Sequence, residues 1–299
     1  MNQRIACIGA VTLDHVYTVE RLLRKNESAC CRGYSRNWGG KGLNQTVALK
    51  KAGALPLLFA KVGIGEYQSL RAFLKKNEIN MDHIISVDSL TNHGVIQIDP
   101  RGNTIILGCS TPQTDFTQQE VDRILADFAP GDILYLQNEI PAVPYIMQRG
   151  KAKGLMVVLN PSPLDRWERL PLDQADWLIL NAVEAVQIAG TRTPEAALFR
   201  LAEKHGCRVV LTLGDKGVMC LAEGRSYEQK CLPTRVVDTS GAGDTFLGYF
   251  LSETINGTDI QTALLRASQA AALVVSRLGA SAIPDRREVL TCLRKGEDW

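Results

Sequence analysis

"VVDTSGAGDTFLGYF" runs from Val236 to Phe250, and its small residues govern how the rest of the chain reads. Gly241 and Gly243 flank Ala242 directly before Asp244 and Thr245, and Phe246, Leu247 and Phe250 follow at helical spacing. The pattern predicts a strand end, a tight glycine turn and a helix start. A helix N-terminus presents unpaired N–H groups and a partial positive charge. With no bulky side chain at Gly241, Ala242 and Gly243, an anion can approach the backbone itself. An acid in such a pocket is a contradiction unless it works beside the anion. Asp244 would accept a proton from a hydroxyl while the backbone amides hold the phosphoryl group that this hydroxyl attacks. Ser, Thr or Asp before a helix also suits an ordinary N-cap, and this stretch alone leaves both readings open.

A second glycine cluster, "NWGGKGLNQTVALKKAGA", spans residues 37–54. Gly39, Gly40 and Gly42 surround Lys41, and Asn44 opens a helical pattern. Glycines let a polyol lie against the backbone, while Lys41 and Asn44 offer donors to hydroxyls. Taken alone, the cluster also suits a solvated loop. The P-loop pattern GxxxxGK[ST], a strand-following GxGxxG and the hydrolase elbow GxSxG are all absent.

The 299 residues are 45% hydrophobic and 22% charged, enough for a substantial core. Thirty-four basic against 32 acidic residues give a net charge of +2. That balance predicts neither a nucleic acid nor a membrane partner. No apolar stretch approaches the roughly 18 residues of a membrane span. The start, MNQRIACIGAV, reads as a first strand rather than a signal peptide. Eight cysteines without a CxxC pair read as reduced thiols in a cytoplasmic protein, with Cys7, Cys207 and Cys220 in strand-like runs. His15, His83, His93 and His205 lack the spacing of a zinc site.

Buried strands are expected at 5–8, 57–62, 133–136, 155–159, 177–180 and 209–213. Helices are expected at 43–52, 69–77, 118–126, 144–153, 194–205 and 259–275. This alternation predicts an α/β fold, a doubly wound, mostly parallel sheet with helices on both faces. Residues 15–38 and 92–109 break the rhythm. They read as short antiparallel strands with polar turns, forming a small β-sheet lid on one domain spanning 1–299. No repeat or linker interrupts it, and Lys295–Trp299 reads as loosely held.

The two glycine clusters, in this order and about 200 residues apart, resemble the ribokinase-like (PfkB) family of carbohydrate kinases, on its ribokinase branch. The resemblance covers nearly the whole chain. "GAVTLDH" (9–15) looks like the first substrate segment, with Asp14 at the sugar-binding aspartate. "LQNEIP" (136–141) places Glu139 at a sugar-contacting glutamate, and "LNPSP" (159–163) is similar to an Asn-Pro strand end. "LNAVE" (180–184) carries Asn181 and Glu184, "LTLGDKG" (211–217) carries Thr212, Gly214 and Gly217, and "SRLGAS" (276–281) resembles the end of a monovalent-cation loop.

The resemblance implies an ATP-dependent sugar kinase acting at a primary hydroxyl. Asp244 is the implied base, and Gly241, Ala242 and Gly243 form the anion hole. Thr12, Asp14, Gly40, Lys41, Asn44 and Glu139 would hold the sugar. Asn181, Glu184, Thr212, Gly214, Gly217 and Gly243 would organise ATP, with Asn181 and Glu184 holding Mg²⁺ through water. Asp238, Ser240, Arg277, Gly279 and Ser281 would line a K⁺ site, several through carbonyls. A homodimer through the lids is implied as well.

Three departures bear on the substrate. Ribokinase has asparagine at the position of Thr12, so tolerance of a deoxy sugar, or of one with different stereochemistry, is expected. The segment "VGIGEYQS" (62–69) is shortened. Ser268 stands where ribokinase has a nucleotide-contacting histidine. A nucleoside kinase of the same family stays open as an alternative, and so does a non-catalytic nucleotide- or sugar-binding regulator.

Overall fold

Strand β1 (Ile5–Ile8) shows why a covered sheet forms. All four of its residues are buried, with Ile5 and Cys7 in one apolar cluster and Ala6 and Ile8 in another. A strand that is apolar on both faces needs helices on both. The computed structural model describes residues 3–277, 279 and 282–296, and it supplies that cover.

After β1 come β2 (Thr12–Thr18), β3 (Gly33–Gly39), α1 (Lys41–Lys51), β4 (Pro56–Gly63), α2 (Tyr67–Lys76) and β5 (Ile84–Val87). Strands β6 (His93–Ile98) and β7 (Thr104–Cys109) follow, then α3 (Gln118–Ala126), β8 (Ile133–Gln137), α4 (Val143–Ala152) and β9 (Met156–Asn160). Next are β10 (Trp177–Asn181), α5 (Ala182–Ala189), α6 (Pro194–His205) and β11 (Arg208–Thr212). The chain then forms β12 (Val218–Ala222), β13 (Arg225–Gln229), α7 (Ala242–Ile255), α8 (Ile260–Val275) and α9 (Arg286–Gly296).

The nine-stranded sheet has the order β13-β12-β11-β10-β9-β8-β1-β4-β5. It is parallel from β11 to β5, and the β12–β13 pair extends it antiparallel. Chain order reverses beside β1, which lies between β8 and β4. Ligands of such sheets bind at the carboxyl ends of the strands flanking that reversal. One cluster packs α1, α2, α7, α8 and α9 on one face, and the other packs α3 to α6 on the opposite face.

Each apolar run expected as a buried strand is one, with ends shifted by at most a residue. Cys7, Cys207 and Cys220 are buried. No helix among the described residues is long and apolar enough to cross a membrane. The strand end expected before the glycine turn does not form. Residues 231–241 carry no strand, and Val237 and Asp238 instead donate their N–H groups to the Val275 carbonyl at 2.8 and 3.1 Å.

The two segments outside the main rhythm form a separate sheet in the order β3-β2-β6-β7. The pairs β2–β3 and β6–β7 are antiparallel as expected. The seam between them, β2–β6, is parallel, because the chain builds most of the main sheet's far edge before returning.

Candidate active site

Helices α1 and α7 cross at a glycine. A Cβ on Gly248 would run into Ala48 and stand 2.8 Å from the Leu49 nitrogen, so only glycine allows this approach. One turn earlier on each helix lie Asn44 and Asp244. The crossing therefore sets the start of α7 against the start of α1. Asn44 Nδ2 donates to Asp244 Oδ2 at 3.1 Å, and Gln45 Nε2 donates to Asp244 Oδ1 at 2.8 Å. Gln45 is fully buried, and its Nε2 also lies 3.3 Å from Asn160 Oδ1, while Asn160 Nδ2 donates to the Ile179 carbonyl at 2.8 Å.

The N-terminus of α1 has no side-chain cap of its own. Gly40 sits at φ 91°, and a Cβ there would meet the Ala10 carbonyl oxygen at 2.7 Å. Glu139, two residues past β8, takes the capping role from across the sheet. Its Oε2 accepts the Lys41 N–H at 2.8 Å and the Gly42 N–H at 3.3 Å. Burial pushes the Glu139 pKa up to about 7. Asp244 adds to the rise, while Lys41 and the two N–H groups oppose it. Burial works against the charge on Lys41, but Asp244, Glu139 and Glu184 outweigh it and hold its pKa above the ordinary lysine value.

A cavity of about 140 Å³ lies at the carboxyl ends of the strands. It gathers seven of the expected residues: Lys41, Asn181, Glu184, Thr212, Gly241, Gly243 and Asp244. Asn160, Ser162, Leu180 and Leu247 complete its wall. Gly243 faces open space where a Cβ would stand. Ala242 does not line the cavity; its N–H turns back to the Thr239 carbonyl at 3.3 Å and its methyl packs on the core. Asn181 and Glu184 form a complete capping box on α5, with backbone-to-side-chain contacts of 2.9 and 3.0 Å, while also lining the cavity. A larger hollow of about 360 Å³, lined by Asp176, Cys207, Arg208 and Glu223, lies at the other end of β10 and β11, away from the paired helix starts.

Other expected residues stand outside the cavity wall. Gly214 and Gly217 are in the β11–β12 turn. Gly217, at φ 102°, is required because a Cβ would collide with the Gln229 carbonyl, so its glycine answers to the neighbouring strand. Thr12 and Asp14 lie on β2, and Thr12 Oγ1 donates to Asp14 Oδ1 at 2.9 Å. The Thr12 hydroxyl thus orients Asp14. Burial raises the Asp14 pKa, against the hydrogen bonds from Thr12 and Gly94.

Asp238 clasps the two segments expected around a cation. Its Oδ1 accepts from Ser240 N at 2.8 Å and its Oδ2 from Gly279 N at 2.9 Å. Those bonds overcome partial burial and hold its pKa below the usual aspartate value. The Arg277 guanidinium is directed to Glu288 and, at 3.4 Å, to the Ala282 carbonyl, so its charge is engaged away from Asp238. Ser281 and the terminal residues 297–299 lie outside the described residues. Among those described, no group of three or more His, Cys, Asp or Glu side chains is arranged to hold a metal.

Gln45 and Asn160 are absent from the expected set although both reach Asp244 or its partner. A glutamine one residue past Asn44, on the buried face of α1, was the available signal.

The chain is 29% identical to ribokinase from Haemophilus influenzae, over 98% of this chain and 99% of that one. It is 27% identical to deoxyribokinase from Salmonella typhi, covering 92% and 93%. The structure of Arabidopsis thaliana ribokinase complexed with ribose and ATP superposes with a TM-score of 0.83 at 27% identity, covering 98% and 99%. The model of the pfkB family carbohydrate kinases matches residues 2–286, and the chain belongs to that family.

Proposed function

We propose that the protein transfers the γ-phosphoryl group of ATP to a primary hydroxyl of a small sugar of the ribose or deoxyribose class. The observation that carries this reading is Asp244 at the start of α7, sharing one cavity with Lys41 and the open face of Gly243. Asp244 takes the hydroxyl proton, the sugar oxygen bonds to the γ-phosphorus, and the bond from that phosphorus to the β-phosphate oxygen breaks to leave ADP. The Gly243 turn offers backbone N–H groups and a helix dipole to the charge that develops. Lys41 adds a cation held charged by the surrounding carboxylates.

Asp14, Gly40, Lys41, Asn44 and Glu139 hold the sugar in this reading, with Thr12 orienting Asp14. Asn181, Glu184 and Thr212, which line the cavity, would bind the nucleotide in this reading. Mg²⁺ supplies charge neutralisation for the phosphates, and Asn181 and Glu184 suit its hydration shell. The Asp238 clasp, whose two ends precede the glycine turn and follow α8, suits a monovalent-cation loop. The four-stranded sheet is read as a lid that pairs with a second copy. Its edge strand β7 exposes Ile105, Ile106 and Leu107. A cytoplasmic location goes with this reading, where ATP and a reducing milieu for the exposed Cys30, Cys31 and Cys231 coincide.

The test is an ADP-release assay over pentoses, deoxypentoses, hexoses and nucleosides, run beside a Thr12→Asn variant. Turnover of ribose or 2-deoxyribose above every nucleoside supports the reading, with 2-deoxyribose losing ground in Thr12→Asn. A preference for nucleosides, or no turnover of any acceptor, overturns it.

A further inference from the structure

The hydrogen bonds beneath Asp244 run in one direction only. The Ile179 carbonyl can only accept, so the group it meets on Asn160 is the amide Nδ2, at 2.8 Å. This turns Asn160 Oδ1 toward Gln45. An acceptor there requires a donor, so the Gln45 amide must present Nε2. One proton of that NH₂ goes to Asn160 Oδ1 at 3.3 Å, and the other goes to Asp244 Oδ1 at 2.8 Å. A backbone carbonyl on β10 therefore dictates the orientation of an amide on α1, and that amide in turn meets the carboxylate on α7. Gln45 is buried completely and Asn160 almost so, which removes water as a competitor for these bonds.

The two oxygens of Asp244 are consequently unequal. Oδ1 faces an N–H that has no alternative orientation, and a proton on Oδ1 would oppose it. Oδ2 faces Asn44 Nδ2 at a longer 3.1 Å, and Asn44 is only partly buried, so this contact can give way to a substrate hydroxyl. We infer that Gln45, backed by Asn160, is a positioning residue that pins Asp244 through Oδ1 and thereby makes Oδ2 the oxygen that accepts the substrate proton. The inference rests on Asp244 being the base of the proposed reaction. It also assigns work to a side chain that need not touch the sugar or ATP.

Gln45→Met keeps length and burial but removes both donors. The expected result is a kcat lower by roughly 10- to 100-fold, the scale of a misaligned catalytic group. KM for sugar and for ATP should stay within about twofold. Gln45→Glu, nearly isosteric, likewise loses the amide donor to Asp244 Oδ1 and should lower kcat in the same way, and it serves if Gln45→Met fails to fold. A crystal structure of the variant gives a readout free of turnover: the Asp244 carboxylate should be rotated off its wild-type pose. A folded variant with wild-type kcat and Asp244 pose would overturn the role of Gln45. A wild type that phosphorylates nothing would overturn the kinase reading instead, and the Asp244 pose would still decide the role of Gln45.

Discussion

Gly248 of α7 lies against Ala48 of α1, with room for no Cβ on the glycine, and four residues earlier on each helix Asp244 meets Asn44 at 3.1 Å. The crossing and the polar contact are one arrangement: the same two helix faces carry the packing contact and the Asn44–Asp244 hydrogen bond. Gly248→Val should push the helices apart. Overpacking of this kind costs about 1–3 kcal/mol. Denaturant unfolding should show that loss, together with a kcat that falls more than the sugar KM rises. Unchanged stability would mean that the helices can part at no cost.

Gly243→Val separates fold from catalysis in the opposite sense. The added side chain enters open space, and glycine is the poorer helix former, so Tm should hold or rise. The branched side chain would fill the approach to the turn. A fall of roughly 10²–10³-fold in kcat is expected, the scale of losing one oxyanion donor. A variant with wild-type kcat would remove the turn from phosphoryl binding.

Glu139 links stability to pH. Its ordinary pKa of 4.5 rises to about 7 in the folded protein, so between these values the native state binds more protons than the unfolded chain. Its contribution is present in full below about 4.5 and is lost as pH climbs to about 7. Glu139→Gln should flatten that part of the ligand-free stability curve. The same slope in the variant would place the titration on another group.

Potassium should activate the enzyme more than sodium does, and Asp238→Asn should blunt the difference. The variant loses one of the two acceptors that join Ser240 to Gly279 beside the glycine turn. Equal rates in potassium, sodium and tetramethylammonium would leave the clasp a purely structural feature.

Much of the fold is legible because it rests on local rules. Strands β1, β8 and β10 are short apolar runs buried on both faces, and α3 and α6 begin at Thr117 and Thr193, threonines whose side chains accept the capping N–H. The misses are nonlocal. Val236 and Val237 look like strand residues, but the nearest partner offered to Val237 and Asp238 is one helix-end carbonyl, that of Val275. Strand β13 is largely polar and partly exposed, which hides it among turns. In the site, Asp244 and Lys41 stand out because glycines surround them. Gln45 does not, since a glutamine in a helix looks like a solvated face until the fold buries it. The capping of α1 by Glu139 joins residues about a hundred positions apart, and no spacing announces it. Arg277 shows the converse: the motif draws attention to it, but its guanidinium is directed to Glu288, which no spacing announces.

The most direct measurement is single-turnover phosphoryl transfer by Asp244→Asn, with ATP binding followed in parallel. The substitution keeps the shape of the side chain and removes the proton acceptor. Transfer should slow by roughly 10²–10⁴-fold, the range of a general base, while ATP affinity and Tm stay near wild type. Wild-type transfer by a folded Asp244→Asn protein would contradict the role of Asp244 as the base.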